Sequence, residues 1–234
     1  MRIIFWGTPE YSVKSLEVLK KSDHDIVAVI TQPDKKRSRG NKLKASPVKE
    51  YAIKENIPVF TPETIKDNIQ FISRLKELSC DLFIVIAYGK ILPKAILDIP
   101  KYKSWNAHAS LLPRWRGAAP IQWSILEGDK FTGVGIMKME EGLDTGDVIV
   151  EKQIKIEGKD NLKTLSKSLS DLSSELFLRA ISDIEQNKNR DINILLKKQT
   201  DFQRELKYAR MINKLDYIIN WDKTSTDIYR KINA

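Results

Sequence analysis

The chain has 234 residues, a mass of 26.9 kDa, 30% charged residues and 41% apolar residues, a globular balance that excludes a disordered chain, a collagen-like repeat and a disulfide-stapled mini-domain. Forty lysines and arginines against 31 aspartates and glutamates give a net charge of +9, which favours polyanionic partners but is also found in ordinary enzymes with solvated lysines. The single cysteine, Cys80, excludes an intrachain disulfide and a cysteine zinc cluster, which fits a reducing compartment.

Neither a membrane span nor an export signal is predicted. The longest apolar run, Leu82 to Tyr88, is far shorter than the about 20 apolar residues that a bilayer requires. A strand pattern begins at once after Met1 and leaves no room for the charged and apolar regions of a signal peptide. We therefore expect a cytoplasmic protein.

Strands and helices alternate through the first hundred residues. Residues 2–6 are predicted as a buried strand that ends at Gly7, and a helix follows from Pro9. The next predicted elements are a strand, a helix, a short strand, a helix and the most apolar strand: Asp25 to Ile30, Pro47 to Asn56, Pro58 to Phe60, Ile69 to Leu78 and Leu82 to Ile86. Such alternation predicts the fold class α/β, a Rossmann-like, doubly wound, mostly parallel sheet with helices on both faces.

The later elements are a strand, a helix, two antiparallel strands and a long amphipathic helix: Ser104 to Ala107, Ala118 to Glu127, Gly133 to Met139, Val148 to Ile156 and Leu162 to Ile184. The composition then turns polar, which is typical of a domain boundary. We expect a catalytic domain over 1–188, a linker over 189–206 and a separate segment over 207–234, which includes a helix around Ile228 to Ile232.

The first strand-to-helix turn argues against two common cofactor motifs. Residues 7–12 lack the second and third glycines of the dinucleotide fingerprint, so a nicotinamide cofactor is disfavoured. The sequence also contains no GxxxxGK[ST] motif, which excludes ordinary P-loop chemistry.

Asn106 and His108 end a predicted strand at the edge where ligands bind in open α/β sheets. Residues two apart in a strand point to the same side, so an amide donor and an imidazole converge there. This pair suits the stabilisation and protonation of an oxyanion. The equally weighted alternative is a loop histidine whose hydrogen bonds are satisfied by the backbone.

Four carboxylates crowd the glycine-bearing loop from Glu140 to Asp147. They are either solvated turn residues, the commoner case, or include one that orients His108 and stabilises its charged form. No cluster has a recognisable metal-ligand spacing, so no metal site is predicted.

Six basic side chains fall within one short stretch that is too polar for a core: Lys35, Lys36, Arg37, Arg39, Lys42 and Lys44. The stretch is either a solvated loop or a binding site for a polyanion.

Several motifs, in order and spacing, resemble the formyltransferases that use 10-formyltetrahydrofolate, and most of all those that act on charged initiator tRNA. The resemblance covers nearly the whole chain and rests on residues 3–9, 31–34, 39–43, 46–49, 87–93, 106–122 and 142–147. It implies the catalytic fold of that family. Trp6, Trp105, Ala109 and Trp123 depart from the usual pattern of that family, and none of them is a catalytic residue.

The resemblance also implies a catalytic triad, a folate site and a tRNA site. The triad is Asn106, His108 and Asp144, with no metal. The residues implied for 10-formyltetrahydrofolate are Tyr88, Gly89, Lys90, Ile91, Leu92, Ser110, Leu111, Leu112, Pro113, Met139, Glu140, Glu141, Gly142 and Leu143. The basic stretch would reach the acceptor stem of initiator methionyl-tRNA, and Arg39 matches the key loop arginine of the family.

Residues 207–234 resemble the start of the C-terminal, tRNA-binding β-barrel domain of that family, and the resemblance implies that this segment is an incomplete form of that domain. We expect a monomer that transfers a formyl group to the amino group of tRNA-bound methionine. Two alternatives remain: a formyltransferase acting on an amino sugar nucleotide, and a non-catalytic RNA-binding remnant.

Overall fold

A computed structural model describes residues 1–37 and 42–234 and confirms the predicted fold class. The chain is α/β with a seven-stranded, mostly parallel sheet. It divides into two compact units, of which the first comprises Met1–Asn106 and Lys138–Glu141 and the second comprises Ala107–Met137 and Gly142–Ala234. Of the described helices, none has the length and apolar character needed to cross a membrane.

The first unit is built on parallel strands. Its elements are β1 (Arg2–Gly7), α1 (Glu10–Lys20), β2 (Asp25–Ile30), β3 (Lys35–Arg37), β4 (Lys42–Lys44), α2 (Pro47–Lys54), β5 (Val59–Phe60), α3 (Ile69–Glu77), β6 (Leu82–Ile86), α4 (Lys94–Leu97) and the first residues of β7 (Ser104–His108). The strand order is β7-β6-β1-β2-β5, with every pair parallel. The predicted bounds of β2 and β6 are confirmed, because continuous apolar runs mark strands that are covered on both faces.

Trp6 lies in the centre of the core of this unit. Its side chain is fully buried, and its ring packs against those of Phe71, Phe83 and Tyr88 at centroid distances of 5.2–6.1 Å. The large Trp6 side chain is therefore accommodated in a cluster of aromatic rings within the core of this unit.

The second unit contains the end of β7, β8 (Arg116–Gly117), α5 (Pro120–Leu126), β9 (Phe131–Lys138, whose last residue belongs to the first unit), β10 (Val148–Lys155), α6 (Leu162–Gln186), β11 (Tyr208–Ala209) and α7 (Ser225–Asn233). The antiparallel pairing of β9 with β10 confirms the prediction. The α6 helix buries its apolar stripe and begins at a capping box formed by Asn161 and Thr164.

The segment after α6 is attached to the second unit by several contacts. Arg204 forms two hydrogen bonds with the Glu151 carboxylate, at 2.7 and 2.6 Å, and Ala209 is fully buried where β11 pairs in parallel with β8. The pairing of β8 with β11 was not expected from the sequence. The domain boundaries at residues 188 and 206 stay a prediction.

The basic stretch contains an unexpected antiparallel pair, in which β3 runs against β4 with Lys35 opposite Lys44. The sequence analysis expected a loop here because the stretch is too polar for a core, and like charges directly opposite each other also disfavour a sheet. Arg39 lies outside the described residues.

Cys80 offers a simple test of the packing. It lies at the buried edge of the aromatic core, and burial raises the pKa of its thiol to about 12. Because the thiolate is the reactive form, iodoacetamide at pH 8 is expected to label the folded chain at least about 10-fold more slowly than the urea-unfolded chain. Mass spectrometry reports the labelling of this single cysteine, and equal rates in both states would contradict the buried placement.

Candidate active site

His108 ends β7, and its side chain is buried with 5% of its surface exposed. Its Nε2 atom lies 2.7 Å from the main-chain carbonyl oxygen of Trp115. Because a carbonyl oxygen can only accept, Nε2 carries the hydrogen. The backbone of Trp115, which has a positive φ of 65°, therefore fixes the orientation of the ring.

Asp144 brings one of the crowded carboxylates to His108. Its Oδ2 atom lies 3.6 Å from His108 Nδ1 and accepts a hydrogen bond of 2.8 Å from the backbone N–H of Gly117. Both side chains are mostly buried. Of the two alternatives for the acidic loop, the geometry favours the one in which a carboxylate lies near His108, and the catalytic role of Asp144 stays a prediction.

Two polar groups face the imidazole ring. The Trp115 carbonyl accepts a hydrogen bond from Nε2–H, and the Asp144 carboxylate lies 3.6 Å from Nδ1. That separation exceeds hydrogen-bond length, so Asp144 acts on the ring through its charge and not through a direct hydrogen bond.

Gly117 permits the close approach of two segments beside the pair. Its φ is 122°, and a Cβ atom there would lie 2.6 Å from the carbonyl oxygen of Ala209 in β11. A larger residue would displace either β11 or the N–H that holds Asp144. The sequence analysis included the motif around residue 117. It could not identify the Gly117 N–H as a hydrogen-bond donor to Asp144, because main-chain groups are not visible in a sequence pattern.

Gln199 is a further residue of this region that the sequence analysis missed. It is 3% exposed, and its side-chain amide donates to the carbonyl oxygens of Asp144 and Gly146, both at 2.8 Å. Nothing in the sequence around residue 199 distinguishes it from a surface glutamine, because its partners are 53 and 55 residues away.

Asn106 belongs to the first unit and is half-buried in β7, where it is paired in register with Val85 of β6. It lies two positions before His108 along this strand. Its role stays a prediction.

The segment expected to bind folate after β6 is partly open and partly packed. The Tyr88 ring is in the core, its carbonyl oxygen accepts from Thr8 and Gln32, and burial raises the pKa of its hydroxyl. The φ of Gly89 is +85°, and a Cβ there would meet no atom within 4 Å. Ile91 is 81% exposed, whereas Leu92 is buried.

The other residues implied for folate divide into exposed and buried groups. Glu140 and Glu141 in the first unit and Gly142 and Leu143 in the second are exposed, and Met139 is half-buried. The run from Ser110 to Pro113 is buried, and the Ser110 hydroxyl donates to the Arg114 carbonyl at 2.6 Å. Side chains of this run therefore support the site from within the second unit.

Among the six basic residues, Lys35 and Lys44 have exposed side chains. The backbones of Lys36, Arg37 and Lys42 are part of the β3–β4 pair, and their side chains lie outside what the structure describes. In residues 1–37 and 42–234, no group of three or more histidine, cysteine, aspartate and glutamate side chains is arranged to hold a metal ion.

Comparison with known proteins identifies relatives along the whole chain. The family model described as formyl transferase matches residues 1–181. The chain is 92% identical to a methionyl-tRNA formyltransferase of Prochlorococcus marinus subsp. pastoris (strain CCMP1986 / NIES-2087 / MED4). It is 85% identical to the methionyl-tRNA formyltransferase of Prochlorococcus marinus strain MIT 9515. Both alignments cover 100% of this chain and 71% of the relative. Among solved structures, a sugar 3N-formyl transferase with dTDP and 5-N-formyl-THF matches with a TM-score of 0.70 and 25% identity, over 100% of this chain and 78% of that one.

Proposed function

The chain belongs to the formyl transferase family and, within it, groups with the methionyl-tRNA formyltransferases, and from this membership we propose that it transfers a formyl group from 10-formyltetrahydrofolate to the amino group of methionine on charged initiator tRNA. The observation that carries this proposal is the 92% identity over all 234 residues to a relative of that name. The His108–Asp144 pair supplies chemistry that such a transfer needs. Because charged initiator tRNA is a substrate of translation, we place the reaction in the cytoplasm.

The reaction requires stabilisation of negative charge on the formyl oxygen. The methionine amine adds to the formyl carbon, and when the tetrahedral oxyanion collapses, the bond to the folate nitrogen breaks and that nitrogen gains the proton that the amine loses. His108 donates its Nδ1–H to the oxyanion while its Nε2–H stays anchored on the Trp115 carbonyl.

Asp144 and Asn106 complete the catalytic group. Asp144 stabilises the imidazolium through their 3.6 Å separation and directs the proton from the amine towards the folate nitrogen. Asn106, two residues before His108 on the same strand, supplies a second, amide donor to the oxyanion.

The folate is the formyl donor, and we place its pterin along residues 88–92 and the 139–143 loop. The open space beside Gly89 supports this placement, because a flat, amide-rich ring needs close access to main-chain donors and acceptors. This segment follows the carboxyl end of β6, the edge where ligands bind in open α/β sheets. Lys90 is held by the carbonyl oxygens of Pro62 and Glu63, at 3.2 and 2.6 Å, so its ammonium group supports this segment.

The acceptor stem of the tRNA is assigned to the β3–β4 pair and the residues between these strands. Lys35 and Lys44 are directly opposite each other and exposed, and phosphates would relieve the repulsion between the two ammonium groups.

The direct test uses the acceptor substrate. Purified protein is incubated with formyl-labelled 10-formyltetrahydrofolate and either methionyl-tRNA or a dTDP-linked amino sugar, and the label in each acceptor is counted. We expect transfer to methionyl-tRNA, with uncharged tRNA as the matched control that stays unlabelled. Transfer to the amino sugar alone would replace the proposal with the sugar nucleotide alternative, and transfer to neither would favour an RNA-binding remnant.

A further inference from the structure

Gln199 uses all of its side-chain hydrogen-bonding groups within the second unit. Its Nε2 donates to the main-chain oxygens of Asp144 and Gly146, and its Oε1 accepts from Nε and Nη2 of Arg116 at 2.9 and 2.7 Å. A buried amide whose groups are all paired fixes the geometry of its partners.

The loop that Gln199 contacts needs such support. Asp144 has a φ of 51°, a left-handed conformation that a residue with a Cβ atom adopts at a cost. This same residue directs its carboxylate at His108 and at the Gly117 N–H. Holding the carbonyl oxygen of Asp144 therefore also fixes the direction of its side chain.

The segment that carries Gln199 is itself fixed to the second unit. Val148 and Lys197 exchange two main-chain hydrogen bonds of 2.9 Å, two residues before Gln199. Arg116, the other partner of Gln199, lies in β8, next to the Gly117 that binds the Asp144 carboxylate. Gln199 thus joins both supports of Asp144, its loop and β8.

From these contacts we propose that Gln199 is a positioning residue, which acts on formyl transfer by holding Asp144 in the orientation that faces His108. The inference rests on the proposed function for its kinetic consequences. The arrangement of Asp144 and His108 can be measured without any substrate.

The kinetic experiment compares Gln199→Ala and Gln199→Glu with Gln203→Ala, an exposed glutamine of the same segment. Gln199→Glu keeps an acceptor for Arg116 but loses both donors to the loop. We expect both Gln199 variants to lower kcat about 10-fold with KM for both substrates within about twofold, and Gln203→Ala to match the wild type. The losses of Gln199→Ala and Asp144→Asn are expected to be non-additive, because one acts through the other.

The second readout uses the fact that the chain has only two histidines, His24 and His108. In protein labelled with 15N-histidine, Gln199→Ala is expected to move the Nδ1 signal of His108 in the same direction as Asp144→Asn, with the His24 signals unmoved. An unmoved His108 signal or an additive double variant would overturn the proposal. So would unfolding of both Gln199 variants, since the glutamine would then be needed for the fold alone. A wild type that shows the His108 response but no transfer would refute the proposed function and leave the positioning of Asp144 supported.

Discussion

Replacing His108 with alanine is expected to lower kcat for formyl transfer by about 10²–10³-fold, which corresponds to about 3–4 kcal/mol of lost transition-state stabilisation. In the proposed mechanism the ring beside Asp144 donates to the oxyanion, and this negative charge exists only after the amine has added to the formyl carbon. KM for the folate is therefore expected to change little. Steady-state kinetics with methionyl-tRNA measures both constants.

The matched control is His24→Ala, which removes the other histidine from a turn between α1 and β2. It is expected to keep wild-type kinetics. Circular dichroism and thermal unfolding check that His108→Ala stays folded, because that variant leaves the Trp115 carbonyl and the Asp144 carboxylate without the ring. Turnover of His108→Ala within a few-fold of wild type would remove His108 from the mechanism.

The parallel part of the fold is predictable because its strands are apolar without interruption. Residues 82–86 are all buried. A strand that is covered on both faces gives a short, continuous apolar run in the sequence, and five residues are too few for a typical buried helix. The β3–β4 pair and the β8–β11 pair were not predictable in this way. The first consists largely of lysines and the second has two residues per strand, so neither has the alternation by which sheets are recognised.

The candidate site was predictable at its titratable side chains only. His108 stood out as one of two histidines, placed at a strand end, and the acidic loop stood out by its crowded charge. Its other parts are the Trp115 carbonyl, the Gly117 N–H and the Gln199 amide. Every residue has main-chain groups, so the sequence does not show which of them serve the site. The partners of Gln199 are more than 50 residues away in the sequence, so no local sequence pattern identifies its contacts.

Neutralising Lys35, Lys36 and Arg37 together to alanine is expected to lower kcat/KM for methionyl-tRNA by about 10–100-fold at moderate salt. If each of these side chains binds a phosphate, the slope of log affinity against log salt falls by roughly one unit for every phosphate that is no longer neutralised. The matched control is Lys14→Ala/Lys20→Ala/Lys21→Ala, which removes the same charge from exposed positions along α1 and directly after it. That control separates local binding from the general effect of the net charge, which both triple variants lower from +9 by three.

Arg39→Ala tests the same surface at a single position and is expected to weaken the use of methionyl-tRNA. Slow hydrolysis of 10-formyltetrahydrofolate without tRNA should be unchanged in all these variants, because it needs the folate site and His108 but no acceptor stem. Filter-binding titrations at several salt concentrations give the slope, and the hydrolysis rate serves as the measure of an intact site. Equal loss of hydrolysis and transfer would show that the β3–β4 region supports the fold or the folate site, and the tRNA would then have to be bound elsewhere.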